Sequence, residues 1–563
     1  MTSFVFPSLQ GYRSQWLSRD VIAGLTVWAV MVPEALAYAT IAGVPPVMGL
    51  YAAVPALLLY AALGSSRHLV VGPMSATAAL SAGIIAGFAD TGAEFIAFTT
   101  ALAIVTGLVG VVAGLSRLGF LSAFISEPVL KGFIVGLALT IIAGQLAKLF
   151  GVESADGNFF EKVWGVITEL GDTNGTTLVI GLLSQLLVLA TKRWLPVAPG
   201  SLIAVAASVV AVELLDLTDH GVDVVGNIDA GLPDLGLPAG IGGDDYLSLV
   251  GPAVGVLLIG FAEGLGAAKT YAAREGYEVD PNRELVGLGT ANLGSGLASG
   301  MVVNGSLSKT AVNGGAGAKS QVSGLVVAGL TIVTLLFLTG LFEQLPEATL
   351  AAVVIAAVIE LVDIASLRRL YRIWTGRLAS IYHLAARADF LAAIAAMLGV
   401  LIFETLPGLF IGITISLLLM LYRTSRPRVT TLAHVPGQPG SWVDAAHNSG
   451  IERDPRIVVL RVESGLFFAN ADHVRDRIRA VVDDQTRVIV LNGETTPVID
   501  VTAADMLTVL ANDLQRRGVD FTIAHGIGQV RDVLRRTTED HDRLRYFDTV
   551  ADAVADARAR LDE

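Results

Sequence analysis

Lys309 stands in a stretch, Ala298–Thr310 (ASGMVVNGSLSKT), that also holds Asn304, Ser306 and Ser308 inside a chain dominated by apolar runs. A full charge near lipid depth is costly, so a lysine there faces a cavity or a partner and marks a site. Gly300 and Gly305 let the backbone leave the helix, which is tolerated at that depth only against protein or a water-filled cavity. If a helix resumes between Lys309 and Ala318, its first amide groups and the lysine aim positive potential at one point. That is the outline of an anion site. The alternative is a lysine that snorkels to the inner face; the hydroxyl-rich, glycine-broken context favours the cavity. Ser306 and Ser308 fit both readings, because a serine N-cap satisfies helix amides in either case.

Two acids fall in apolar runs. Glu34 follows Pro33 and reads either as a proton-coupling carboxyl, neutral when substrate binds, or as a partner for a backbone amide freed by the proline. Glu263, in LIGFAEGLGAAK, is flanked by Gly260, Gly264 and Gly266. The glycines alone indicate close helix packing, whereas an acid at that depth indicates coupling to a proton or cation. Glu360, Asp363 and Asp389 sit at span ends and read as interfacial. The run Gly314–Ser320 (GGAGAKS) imitates a phosphate loop but has Ala318 where the motif needs glycine, and no soluble strand precedes it.

The elements that position these residues are membrane spans. Of 563 residues 53% are hydrophobic and 16% charged, with mean hydropathy +0.65; a soluble chain carries about 25% charge. The absence of cysteine excludes disulfides, thiolate catalysis and cysteine metal sites, and the eight histidines form no HxxxH or HExxH pair. No metal, cofactor or nucleic-acid partner is expected. With no nucleophile–base constellation, the chain does not read as an enzyme. Apolar segments, given about 20 residues per span, run over 21–42, 46–63, 73–89, 94–115, 125–150, 176–192 and 200–216, then 247–269, 284–301, 304–319, 321–341, 346–362, 384–403 and 407–423. The first imitates a signal peptide but continues past Pro33 and is followed by many spans, so it reads as a retained helix. If residues 1–20 are cytosolic, the inward loops hold Arg67, Arg117, Lys131, Lys192, Arg193, Lys269, Arg274 and Arg368 to Arg387. The outward loops hold acids, with Lys162 the exception. That asymmetry obeys the positive-inside rule and puts both termini in the cytoplasm.

Seven segments, an acidic loop over 217–246 and seven more imply inverted repeats, about 21–216 and 247–423, because an odd number of crossings flips the second copy. A weak echo marks the third segment of each: Val70-Val71-Gly72-Pro73-Met74-Ser75 and Val302-Val303-Asn304-Gly305-Ser306. Glycine-interrupted segments in matching places point to a transporter's binding site. The transmembrane region thus spans 21–425. Prolines 427, 436, 439 and 455 suggest a linker over 426–450. In 451–563, strands at Ile457–Val462, Arg487–Asn492 and Phe521–Ala524 alternate with helices at Ala471–Val482, Thr502–Arg517, Val530–Arg536 and Val550–Leu561, a small α/β domain.

PEALAYATIAGVPPVMGLY from Pro33, YAALGSSRHLVVGPMSA from Tyr60 and AKTYAAREGYEVDPNRELVGLGTANLGSGLASGMVVNGSLSKTAVN from Ala268 resemble the SulP anion transporters, the sulfate permeases and prestin-related solute carriers. The C-terminal region resembles their STAS domain. The resemblance implies a polytopic α-helical membrane protein of fourteen segments in 7+7 inverted repeats, divided into core and gate, with a cytosolic STAS domain. Segments three and ten would be half-helices meeting near mid-membrane after short antiparallel strands. The anion would bind between their N-termini, and an elevator-like movement of the core would carry it. Carried over by motif, the site uses Glu34, Tyr38, Met74, Ser75, Leu307, Ser308 and Lys309. Many relatives have arginine at the place of Lys309; lysine keeps the charge and loses the bidentate fork.

The same resemblance implies a homodimer in the cell's inner (plasma) membrane and makes Glu263 a second coupling acid beside Glu34. The function expected is secondary active inorganic-anion transport, proton-coupled sulfate uptake first. Alternatives are bicarbonate transport coupled to sodium or protons, dicarboxylate transport, an uncoupled anion conductor, or a membrane-anchored sensor. Thr502 matches a phosphorylatable hydroxyl of related bacterial regulators; as a plain residue it reads as an N-cap with Asp505 closing a capping box.

Overall fold

The computed structural model describes residues 5–563 apart from 90–91, 121–126, 154, 156, 196–198, 227, 229, 360–361, 376–384, 404, 439, 447, 449–450, 452–453 and 526–544. Its contacts divide it into two compact units, Met1–Ser416 and Leu417–Glu563.

The first unit begins with α1 (Leu17–Ile41), α2 (Val47–Leu63), strand β1 (Val70–Gly72), α3 (Ser75–Ile85), α4 (Gly92–Leu115) and α5 (Glu127–Phe150). It continues with α6 (Phe159–Thr168), α7 (Gly175–Trp194), α8 (Gly200–Leu215), α9 (Gly243–Ser248), α10 (Val250–Glu275) and α11 (Pro281–Leu297). Then come β2 (Asn304–Ser306), α12 (Leu307–Gly315), α13 (Val322–Phe337), α14 (Glu347–Val358), α15 (Ile364–Thr375), α16 (Ala385–Phe403) and the start of α17 (Thr405–Thr424). Each of the fourteen apolar segments holds a helix. Among the described residues, five helices are long and apolar enough to cross a membrane: Ser14–Ile41, α4, α5, α7 and α10.

The glycine-broken segments fold as their composition demands. β1 and β2 pair antiparallel, Val70 with Ser306, Val71 with Gly305 and Gly72 with Asn304. Each strand runs straight into a short helix, 11 residues for α3 and 9 for α12. At 1.5 Å per residue these are about 16 and 14 Å long, half of a bilayer core of about 30 Å. Because the strands are antiparallel, the helices leave in opposite directions and both positive ends are turned toward the ribbon.

Helices gather in two groups around this ribbon. α11 packs between α4 and α2, and α1 lies on α13 and α2. In the second group α5 packs on α16 and α14, and α14 on α7. Small residues set the approach: a Cβ on Gly110 of α4 would lie 2.9 Å from the Cα of Gly289 of α11. At the α5–α16 crossing a Cβ on Gly132 would collide with the backbone carbonyl of Ala393. Gly132→Ala is therefore expected to cost about 1–3 kcal/mol, read as a lowered thermal unfolding midpoint in detergent. Gly144→Ala on the same helix, where a Cβ meets nothing within 4 Å, should leave the midpoint unchanged or raised.

Two fully buried carboxylates fix the loops that lead to the ribbon. Glu284 of α11 accepts from Tyr60 Oη, Ser65 N and Ser65 Oγ, each at 2.7 Å, and from Ser66 N at 3.0 Å. Asp20 of α1 accepts from Lys319 N at 2.6 Å, Ser320 N at 3.2 Å and Ser320 Oγ at 2.7 Å. Gln321 Nε2 ties the two loops together by donating to Ser66 O at 3.0 Å and Leu69 O at 2.8 Å. The strand that follows Leu69 and the helix that precedes Lys319 are thereby held in one frame.

The second unit is an α/β domain with a six-stranded sheet in the order β4-β3-β5-β6-β7-β8. Its elements are β3 (Val429–His434), β4 (Trp442–Asp444), β5 (Ile457–Val462), α18 (Ala471–Arg479), β6 (Val488–Asn492), α19 (Val501–Arg516), β7 (Asp520–Ala524), β8 (Arg545–Phe547) and α20 (Val550–Asp562). β5 to β8 are parallel, and β3 is antiparallel to both β4 and β5. Val474, Ile478, Leu507 and Leu510 pack one face of the sheet, and Ala553, Val554 and Ala557 the other. The stretch 426–450, which reads as a linker, contributes β3 and β4, an antiparallel pair at the sheet edge. The helix expected at Val530–Arg536 lies outside the described residues. Thr502 is not the N-cap of α19. Asp500 takes that place, accepting from Ala503 N at 2.8 Å and from Phe468 N at 2.8 Å, while Thr502 is exposed in the first turn.

Candidate anion site

Lys309 lies in the first turn of α12. Ser306 is the N-cap: its Oγ accepts from Lys309 N at 3.2 Å and lies 3.1 Å from Ser308 Oγ. The lysine is 2% exposed, so it does not snorkel. Its ammonium is 2.9 Å from Glu34 Oε2, donates to Pro73 O at 3.0 Å and lies 4.8 Å from the centre of the Tyr38 ring. Burial of such an ion is tolerable only when counter-charge and acceptors surround it, and here α1 supplies the carboxylate and the aromatic face. The turn before α3 supplies the carbonyl. Glu34 thus acts as the partner of Lys309, not of an amide freed by Pro33.

Glu34, Ser308 and Lys309 form one wall of a cavity of about 270 Å³, together with Thr26, Val30, Ala311 and Val312. The opposite wall is Val188, Thr191 and Lys192 of α7, Pro199 to Ser201 at the start of α8, and Ala356 and Ala357 of α14. The volume holds a small oxyanion and several waters, each water taking about 30 Å³. Lys192 and Lys309 are the cations on its walls.

The other expected site residues sit behind that surface. Tyr38, Met74 and Ser75 are buried, at 4%, 7% and 5% exposure, and Leu307 is half exposed; none of the four lies on the cavity wall. Met74 stands at the N-cap of α3 without a side-chain cap bond, so the first amides of that helix have no side-chain acceptor there. Glu263 of α10 is also off the wall. Its Oε2 is enclosed without a hydrogen-bond partner among the described residues, within electrostatic reach of Lys309 and Tyr38. The glycines around it serve the ribbon: a Cβ on Gly260 would lie 3.1 Å from Asn304 Cγ, and one on Gly264 3.2 Å from Asn304 Oδ1. The Nδ2 of Asn304 is likewise buried without a hydrogen-bond partner among the described residues.

The sequence reading missed the Pro73 carbonyl, Thr191 and Lys192. Lys192 carries a signal as an inner-face charge, but nothing in its own sequence neighbourhood connects it to Lys309.

Residues 17–383 match the model of the sulfate permease family, and residues 449–553 that of the STAS domain. A probable sulfate transporter of Mycobacterium tuberculosis is 37% identical over 559 residues, covering 98% of this chain and 97% of that protein. High affinity sulfate transporter 1 of Stylosanthes hamata is 30% identical, covering 98% of this chain and 86% of its own length. Among solved structures, the murine Solute Carrier 26 family member A9 anion transporter in its inward-facing state superposes with a TM-score of 0.87 at 22% identity, over 98% of this chain and 94% of that one. The transmembrane domain of the cyanobacterial bicarbonate transporter BicA gives 0.59 at 23% identity, over 69% of this chain and 97% of that one. The helical membrane unit, the α/β domain after it and matches of this extent agree: the chain belongs to the sulfate permease family of multi-pass membrane transporters and carries its STAS domain.

Proposed function

We propose that the protein is a secondary active transporter that takes up sulfate with protons, holding the anion beside the facing N-termini of α3 and α12. The carrying observation is the Lys309–Glu34 pair on the wall of a cavity that an oxyanion fits. While Glu34 is ionised it occupies the lysine, and an incoming dianion must compete with its carboxylate. A proton on Glu34 removes the competitor and leaves Lys309 and the amide near Ser308 on the cavity wall, with the helix dipoles and the amides near Ser75 and Leu307 behind it. Anion and proton therefore bind together. Glu263 is the second carboxyl in the same field and is placed to share the proton.

In this reading the group built on α1, α2, α4, α11 and α13 carries the site past α5, α7, α8 and α14 in an elevator-like movement. The protein works as a homodimer in the plasma membrane with cytoplasmic termini and two inverted repeats, and Thr502 is a regulatory phosphorylation site on the exposed first turn of α19. Lys192 draws anions toward the cavity. Lys192→Gln is expected to weaken sulfate capture roughly threefold to tenfold at low salt and less at high salt, with maximal rate unchanged.

Sodium-coupled bicarbonate uptake is the second reading. It is favoured by the partnerless Glu263 Oε2, which could receive a cation. Uptake of labelled sulfate into proteoliposomes, competed by unlabelled sulfate, bicarbonate and fumarate with and without sodium, separates them. Competition by sulfate alone and indifference to sodium are expected. Strong competition by bicarbonate with a sodium requirement would select the second reading.

A further inference from the structure

α15 carries three arginines, Arg368, Arg369 and Arg372, all exposed. At 3.6 residues per turn they share one side of the helix, and Ile364, Leu367 and Tyr371 fall on the adjoining side. Ile364 and Tyr371 are themselves 60% and 48% exposed. None of the three arginines makes an ion pair or a side-chain hydrogen bond to a described residue, in contrast to Arg428, Arg456, Arg461, Arg475, Arg479, Arg545 and Arg560 of the second unit, which all pair with acids. The acid that feels Arg369, Glu127, is already 2.7 Å from Lys131.

A helix with a basic arc beside exposed apolar side chains, set between membrane helices, fits the plane of a lipid interface. Guanidinium groups match phosphate oxygens in a bidentate fork. We propose that α15 lies on the inner leaflet and that Arg368, Arg369 and Arg372 bind the phosphates of anionic lipids. The choice of leaflet rests on the cytoplasmic termini proposed above; the headgroup chemistry does not. The position gives the contact a consequence. Ala356 and Ala357 of α14 line the anion cavity, and α14 ends at Val358, a few residues before α15 begins at Ile364. A lipid held on α15 anchors the end of a cavity-wall helix.

The test titrates the full-length protein in neutral detergent with phosphatidylglycerol and, separately, phosphatidylcholine of the same chains, counting bound lipids by native mass spectrometry. Phosphatidylglycerol should bind more tightly. Each arginine-to-glutamine change should weaken it roughly fivefold, and Arg368→Gln/Arg369→Gln/Arg372→Gln together roughly a hundredfold. The triple lysine variant should retain most of the affinity, and soluble glycerol phosphate should not displace the lipid at equal concentration. Equal binding of the two lipids to the unaltered protein would overturn the proposal without recourse to any variant. So would full phosphatidylglycerol affinity in the triple glutamine variant, or displacement by glycerol phosphate, which would mark a site for free phosphate.

Discussion

Lys309→Ala is expected to weaken sulfate binding roughly tenfold to hundredfold and to destabilise the first unit. Two effects combine. The anion loses the buried cation, and a charge-assisted contact of this kind contributes about 1.5–3 kcal/mol, which weakens binding roughly tenfold to hundredfold. Glu34, 7% exposed, loses its counter-ion, and removing one member of a buried pair costs about 3–5 kcal/mol. Lys309→Arg keeps the charge and should retain binding, although the larger fork must share the space between Glu34, Pro73 O and the Tyr38 ring. The second effect is separable: in the double variant Glu34→Gln/Lys309→Ala the stability loss should be smaller than the sum of the single losses. Isothermal titration in detergent checks the first effect and thermal unfolding the second. Unchanged affinity in Lys309→Ala would place the anion elsewhere.

Glu34→Gln and Glu263→Gln should each remove pH-driven accumulation. Glutamine cannot carry the proton, so the anion moves without it and distributes only to equilibrium. At zero membrane potential one coupled proton supports about a tenfold accumulation for a gradient of one pH unit, and that factor is the expected loss. The variants should differ in affinity. Glu34→Gln frees Lys309 from its competitor, so sulfate affinity should become tighter at neutral pH and less dependent on pH, Glu263 alone remaining in the field of the lysine. Glu263→Gln leaves the Lys309–Glu34 pair intact, so affinity should remain tighter at acid pH. Uptake into proteoliposomes at matched and imposed pH measures both quantities. Undiminished pH-driven uptake in both variants would remove the coupling role from these acids.

On the cavity wall, Glu34, Ser308 and Lys309 were legible because each violates its surroundings, whereas Thr191 and Lys192 were not. A lysine, a glutamate after proline and a cluster of hydroxyls stand out in apolar sequence, and Gly72-Pro73 and Gly305 mark where helices must break. The hydropathy pattern gave a helix in every apolar segment, and β5, β6 and β7 were readable from their β-branched runs. What escaped was non-local. Glu284 looks like an ordinary first-turn acid of α11 until the loop after α2 brings Ser65 and Ser66 to it. Asp20 resembles a flanking charge until Ser320 reaches it from the other half of the unit. The Pro73 carbonyl has no side-chain signature at all. β3 and β4 were masked by prolines that punctuate a hairpin as readily as a linker, and Asp500 displaced Thr502 as the cap because its carboxylate also receives Phe468 N.

The most direct test is sulfate uptake by the unaltered protein in sealed proteoliposomes with a pH gradient imposed and the membrane potential clamped at zero. Accumulation above equilibrium that follows the size of the gradient and collapses when a protonophore dissipates it is the expected result. Sulfate entry at the same rate and to the same final level with and without the gradient would contradict the exchange of Lys309 between Glu34 and the anion.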